Sequence, residues 1–459
     1  MKLFLILFLT IVVQGQALFT DAQKAELLQH YRALVQIDTT AGNETKAVEY
    51  LKKVIEAEGI ATKTFSVDPA RANLVARLKG NGSKRPLLLM AHTDVVRVQR
   101  EKWPVDPFGA VMKDGYIWGR GSVDDKPILA SELMVLLTLK RSGAMLDRDV
   151  IFFAESGEEG ESEFGAEFMA REHFDEIEAE YCLTEGGSGT LTMGKVATIS
   201  IQTTEKSPKG VRLIVNGTSG HASVPRVDNA LVRLSSAVSK VGAWETPMRL
   251  NDTTRSYLEK LATISTPERA ARYNGLLDPR KSAALQRYFA VNEPGIYSML
   301  RTSISPTILK AGVVTNVIPS EAEATLDIRA LPDENIAQFY EEMKRVIGDP
   351  AVKVEPTTFG ARPLAPPSGL DNEMYKTLEA VSKRLYPGVT VLPSMSTGAT
   401  DMAFLRAKGV QSYGIGPANN DEDRTNYGAH SDVERMAEGS LYRFADFTWN
   451  VVVQMAGRK

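Results

Sequence analysis

Two rhythms of apolar and polar positions alternate along this chain. AQKAELLQHYRALVQI repeats apolar residues with helical spacing. So does NETKAVEYLKKVIEAEG, for which Asn43 is the expected N-cap and Gly59 stands just past the end. NLVARLKG and RPLLLMAHTD read as strands, and KPILASELMVLLTLKRSG as a mostly apolar helix. DVIFFAES is a continuous apolar strand of the buried kind, followed by a helical FGAEFMAREHF and a short strand in AEYCLTEGG. Helices alternating with near-continuous apolar strands imply a mixed α/β sheet covered on both faces.

Beyond about residue 208 the pattern changes. VRLIVNG is a strand and DNALVRLSSAVSKVGAW a helix, followed by a polar, helix-prone stretch over about 245–299. SISPTILKAG and EAEATLDIRAL are strands, ENIAQFYEEMKRVIG is a helix, and AVKVEPTTF is a strand. Setting the polar stretch aside, the order is βαββαβ, a ferredoxin-like split unit. The expectation is a second domain at 208–356 inserted into a first one made of 18–207 and 357–459. The Pro-rich ARPLAPPSG marks the return, and SDVERMAEGSLYRFADFTWNVVVQM reads as a long closing helix.

The length of 459 residues, with 43% hydrophobic and 24% charged, suits two or three ordinary globular domains. A formal net charge of −3 and the lack of any like-charge block exclude a nucleic-acid groove. The single Cys182 excludes an intramolecular disulfide and a Cys-based zinc site. At the N-terminus, Lys2 precedes the apolar run Leu3–Val13, and Gly15 and Ala17 supply small residues for cleavage. Residues 1–17 read as a secretory signal peptide, with a membrane anchor as the alternative. The mature chain is then expected to be secreted or periplasmic, without a stable membrane span.

The chain has five histidines. His30 and His173 lie in charged, helical surroundings and read as structural. His92, His221 and His430 sit beside Gly or at a strand end, where a scaffold presents functional groups. His92 and Asp94 share one strand face, so HTD could supply a metal ligand and the carboxylate that orients it. A hydrogen-bonded core histidine would satisfy the same three letters. Asp124 and Asp125 in GRGSVDDKP stand at a helix start, where capping alone would favour them. Glu158 and Glu159 follow directly on a buried strand, and neighbouring carboxylates in a cleft repel unless a cation intervenes. Glu185 ends the next strand. Taken together, His92, Asp124, Glu159, Glu185 and His430 lie at strand ends or helix starts, where open α/β sheets gather ligands. Their nitrogens and oxygens suit zinc, and with one bridging carboxylate they would hold two ions. Glu158 is then left unliganded beside a metal-bound water, where a general base belongs.

In this order, HTD, GRGxxDDK, the Glu-Glu pair, the later Glu, GHAS and the final His resemble a known two-zinc metallopeptidase family. It comprises aminoacylases, carnosine dipeptidases, glutamate carboxypeptidases and N-acyl-amino-acid hydrolases (clan MH). The resemblance covers nearly the whole mature chain. It implies a mixed-sheet catalytic domain with an inserted ferredoxin-like lid and dimerisation domain. It also implies a Zn2+ pair bridged by Asp124, with His92 and Glu185 completing one site and Glu159 and His430 the other. Asp94 would orient His92, Glu158 would be the base, and His221 of GHAS would stabilise the oxyanion. In dimeric members that His reaches across from the partner subunit. Asn316 and Arg329 match positions that hold a substrate carboxylate, and Gly398 matches a substrate-contacting loop. Many members carry Met-Lys-Gly after the bridging Asp, whereas this chain carries Asp125-Lys126-Pro127.

The implied activity is zinc-dependent amide hydrolysis of a short peptide or an N-acyl amino acid with a free carboxylate. Alternatives are a biosynthetic deacylase of the same family, disfavoured by the export signal, and an aminopeptidase, disfavoured by Glu185. A third is a metal-binding protein without catalysis, disfavoured by an intact Glu158. The sequence leaves the acyl group, the preferred side chain, the oligomeric state and the native metal open.

Overall fold

A computed structural model describes residues 18–358, 360 and 362–458; the leader expected over 1–17 lies outside the described residues. The larger of the two main sheets has ten strands and is mixed in direction. At its centre, Leu87–His92 runs parallel to Val150–Glu155 on one side and to Tyr181–Thr184 on the other. Gln411–Gly414 extends the parallel set beside Tyr181–Thr184. Alternation explains why these strands are apolar throughout. Leu87, Leu89 and Ala91 enter one core, with the helices Asp21–Gln36, Lys126–Ser142 and Glu438–Ala456. Leu88 and Met90 enter another on the opposite face, with Phe168, Met169, Met402 and Leu405. The parallel strands therefore end together, and His92, Glu155 and Thr184 mark one rim of the sheet.

A second, five-stranded sheet is antiparallel. Its principal strands lie in the order Val352–Pro356, Val211–Asn216, Glu321–Ala330, Ser303–Ala311. Alternate positions are buried along Val211–Asn216 and Glu321–Ala330, and the helices Ala230–Gly242 and Ile336–Ile347 cover that face. The polar stretch between them forms four helices from Asp252 to Met299, closed around Leu258, Tyr273, Leu276 and Phe289. Its first helix, Asp252–Thr263, lies on the large-sheet strand Thr390–Ser396. Thr253 there hydrogen-bonds Thr203 at 2.8 Å, and Lys260 pairs with Glu379 at 3.1 Å. The insertion is thus a brace between the two sheets, which its polar composition did not reveal.

Two local expectations need correction. Glu44, not Asn43, occupies the N-cap of the helix Thr45–Ala57, and it makes no side-chain cap bond. Glu44 is buried and paired with Arg71 at 2.6 Å, so an ion pair displaces the capping role. The closing helix begins at Glu438, because Arg435–Ala437 is extended and pairs with Tyr116–Trp118.

The chain passes between the sheets at Lys206, which is fully buried. Its Nζ donates to Ser298 O (2.9 Å), Ser298 Oγ (3.1 Å) and Ser303 Oγ (2.7 Å), with no carboxylate among these partners. Burial pushes its pKa down to about 7. The unfolded chain therefore binds this proton more tightly, so the Lys206 contribution to stability rises with pH above about 7. Urea unfolding of wild type and Lys206→Met at about pH 7 and about pH 9 measures this. Wild type should gain stability relative to the variant at the higher pH; a pH-independent difference would refute it.

Candidate active site

His92 closes its strand with 1% exposure. Its Nδ1 lies 3.0 Å from the Asp94 carbonyl oxygen and 3.5 Å from Asp94 Oδ1. Its Nε2 lies 2.9 Å from Asp124 Oδ1. Asp94 also accepts the backbone N–H of Glu158 at Oδ1 (3.2 Å) and of Glu159 at Oδ2 (3.0 Å). One carboxylate thereby holds both the first imidazole and the turn that carries the Glu-Glu pair.

Asp124 lies just before the helix Lys126–Ser142, and the Asp124–Asp125 peptide is cis. Its second oxygen lies 3.4 Å from His430 Nε2, and that same nitrogen is 2.9 Å from Glu159 Oε1. Two donor groups result: His92, Asp124 and Glu185; and Asp124, Glu159 and His430. Within each group the ligand atoms lie within 4.8 Å of one another, and Asp124 belongs to both. Glu158 stands beside them with 9% exposure. A cleft of about 420 Å³ opens over Asp124, Asp125 and Glu185, walled by Val123, Ile128, Ile415 and Pro417.

The electrostatics fit a cation. Burial would raise the Asp124 pKa, but hydrogen bonds from His430 and His92 outweigh it and hold it well below the usual carboxylate range. His430 is pushed up to about 10, chiefly by Asp124 and then by Glu159. Burial drives Glu185 well above the carboxylate range, and neighbouring Glu158 and Asp124 add to the shift. A cation among these oxygens would reverse that penalty. Three carboxylates and two imidazoles form a donor set of the zinc type.

His221, Asn316, Arg329 and Gly398 stand apart from this cluster. His221 is exposed, with Nδ1 2.7 Å from Ser223 Oγ, and Asn316 O accepts the N–H of neighbouring Ala222 at 3.0 Å. Arg329 pairs with its strand neighbour Asp327 at 3.0 Å. Gly398 is exposed and donates its N–H to Ser396 Oγ. Among the described residues, none of the four hydrogen-bonds the cluster through its side chain or through these contacts.

Residues 88–452 match the family model described as Peptidase family M20/M25/M40. The chain belongs to this family. It is accordingly a hydrolase of amide bonds. This M20 chain is 31% identical to a probable carboxypeptidase S-like 2 of Dictyostelium discoideum over 72% of its length. That match spans only 64% of the relative. Human N-fatty-acyl-amino acid synthase/hydrolase PM20D1 is 28% identical over 84% of this chain and 79% of its own. Human aminoacylase-1 is 26% identical over 89% and 90%. Among solved structures, an M20 metallo-carboxypeptidase of Sulfolobus solfataricus has a TM-score of 0.71 at 18% identity, covering 94% of this chain and 99% of that one. A dinuclear metal-binding M20 peptidase of Bacillus subtilis has 0.62 at 16%, covering 95% and 98%. These two carry the fold.

In this M20 chain, some supports of the cluster have no sequence signature. Glu434 is fully buried, and its carboxylate accepts the N–H groups of Gly121, Val123 and Asp124 and an Arg120 guanidinium N–H at 2.7 Å. It shapes the GRGSVDD turn from more than three hundred residues away along the chain. Burial lifts its pKa to about 7, against the pull of Arg120. Arg362 and Asp401, packed behind Glu158, were equally silent.

The Glu-Glu turn depends on Gly157. Its φ is +77°, and an added Cβ would lie 2.3 Å from the Glu161 carbonyl oxygen. Gly157→Ala should cost about 1–3 kcal/mol and pull Glu158 and Glu159 off Asp94. Thermal unfolding and divalent-metal uptake per chain are the measurements; a variant with wild-type melting and metal uptake would contradict this reading.

Proposed function

We propose that this chain is an exported two-zinc hydrolase that cleaves the amide bond of a short peptide or an N-acyl amino acid with a free carboxylate. The observation that carries the reading is the pair of donor groups sharing Asp124, with an unliganded Glu158 beside them. His92 and Glu185 would hold one zinc, Glu159 and His430 the other, and Asp124 both. When bound, such a pair supplies Lewis acidity, acidifying solvent and polarising a carbonyl.

The residues of the chain divide the remaining work. Glu158 binds Arg362 through Oε1, and among the described residues no hydrogen bond occupies its Oε2. Oε2 is the atom that takes a proton from the attacking water and returns it to the leaving nitrogen. The smaller unit, taken as a lid, brings His221 to the developing oxyanion on closure. Arg329 and Asn316 bind the substrate carboxylate, Arg329 exchanging Asp327 for it. Gly398 lines the substrate loop. The relatives named for acyl-amino acids and for carboxypeptidase action both fit a substrate of this chemistry. Export rests on the leader at 1–17; among the described residues no helix is long and apolar enough to cross a membrane.

A second copy of the chain is the expected partner of the lid. Leu231, Val232, Leu309, Val313 and Val314 are all exposed there, and the outer strand Ser303–Ala311 is largely open along its length. So many exposed apolar side chains on one unit mark an interaction surface. The helical insertion packs on the Thr390–Ser396 strand. In sedimentation velocity, wild type should run as a dimer and Leu309→Glu/Val313→Glu as a monomer. A monomeric wild type would remove this contact.

Turnover is tested by offering dipeptides and N-acyl amino acids to the zinc-loaded enzyme, identifying product amines by mass. Glu158→Gln should keep both zincs and lose about 10²–10⁴-fold in kcat. Undiminished turnover would remove Glu158 as the base. A zinc-loaded wild type inert on the whole panel would leave a binding protein.

A further inference from the structure

Arg362 lies in the return connection, after the last strand of the smaller sheet and before the helix Glu373–Leu385. It is 6% exposed. Its Nη2 donates to two acceptors of one residue, the Glu158 carbonyl oxygen (2.8 Å) and Glu158 Oε1 (3.1 Å). Binding both closes a ring through the Glu158 side chain and leaves it little freedom to change rotamer. Nε donates to Asp401 Oδ1 at 3.0 Å, and Asp401 also accepts Ser162 Oγ at 2.7 Å. Ser162 begins the short 3-10 turn just beyond the Glu-Glu pair. The guanidinium therefore grips both the base and, through Asp401, the segment that follows it.

The backbone of Arg362 makes a second set of bonds. Its carbonyl oxygen accepts Ser207 Oγ (2.6 Å) and Lys209 Nζ (2.5 Å). Ser207 lies in the short strand Ser207–Pro208 of the smaller sheet and Lys209 just after it, where the chain arrives from the large sheet. Arg362 is thus the point at which the two connections are stitched together and tied to Glu158.

We propose that Arg362 is a positioning residue that fixes the rotamer of Glu158 and couples it to the junction between the two sheets. The proposal rests on the reading of Glu158 as general base. With Oε1 held, Oε2 alone faces the reacting water, and any shift of the junction moves the base with it. Nη2 lies 3.1 Å from Glu158 Oε1 and 2.9 Å from Asp401 Oδ1, and Nε adds a second bond to Asp401; a lysine would keep one charge but lose the Nε bond that fixes the plane of the group. Burial of Glu158 and Asp401 side by side also requires the guanidinium between them.

The test uses the zinc-loaded full chain and the best-cleaved member of the dipeptide and N-acyl amino acid panel. Arg362→Ala should retain its zinc and lose about 100-fold in kcat, as expected for a displaced catalytic group, with KM little changed. Methylguanidinium should restore part of that kcat in Arg362→Ala and none in Arg362→Lys; a purely structural role predicts no such rescue. If Arg362→Ala does not fold, Arg362→Met/Asp401→Asn removes both charges together. A crystal structure of that variant should show the Glu158 carboxylate swung from its wild-type place, a readout independent of turnover. Wild-type kcat, or an unmoved Glu158, overturns the proposal. Glu158→Gln separates the two failures: if it is inert while Arg362→Ala is fully active, only the positioning role falls. If Glu158→Gln turns over normally, the base assignment falls first.

Discussion

Carboxylates do not gather in a half-buried cleft without something to hold them there. Here Asp94, Asp124, Glu158, Glu159 and Glu185 meet beside His92 and His430 at one rim of the large sheet. Their mutual repulsion and lost hydration are the constraint on which the site depends. The scaffold meets it with parallel strands that end together, so that side chains from separate segments of sequence reach the same few ångströms. The shared position of Asp124 between both imidazoles turns one cluster into two adjoining ligand groups.

Around that cluster, His92, Asp124, Glu158 and Glu159 are held by buried charged side chains rather than by apolar packing alone. Asp94 supports His92 and the turn bearing Glu158 and Glu159. Glu434 supports the loop that presents Asp124. Arg362 supports Glu158 and ties it to the connections between the sheets. Such pairs gain little net stability, because desolvation offsets most of the attraction. What they supply is fixed geometry, which catalysis by a positioned base requires. The helical insertion adds a further tie between the sheets through Thr253 and Lys260.

The central strands were legible because a strand buried on both faces has to be apolar at every position, as Val150–Glu155 nearly is. The ligand groups were legible because His or acidic residues at the ends of such strands contradict burial unless they have a task. The buried supports left no such trace. Glu434 lies in an acidic stretch that resembles the start of a helix, and Arg362 lies in a Pro-rich connection; their partners are distant in sequence. Asn43 failed as a cap for the same reason, since the Glu44–Arg71 pair is a tertiary contact that local rules do not register. The brace formed by Asp252–Met299 was visible as helix but not as a contact with Thr390–Ser396.

Everything turns on whether these oxygens and nitrogens bind a pair of cations together. Anomalous diffraction at the zinc edge, on crystals grown from zinc-saturated protein, reads this directly. Two peaks about 3.5–4 Å apart, with Asp124 between them, are the expected result. A single peak elsewhere, or none at saturating zinc, would contradict the account.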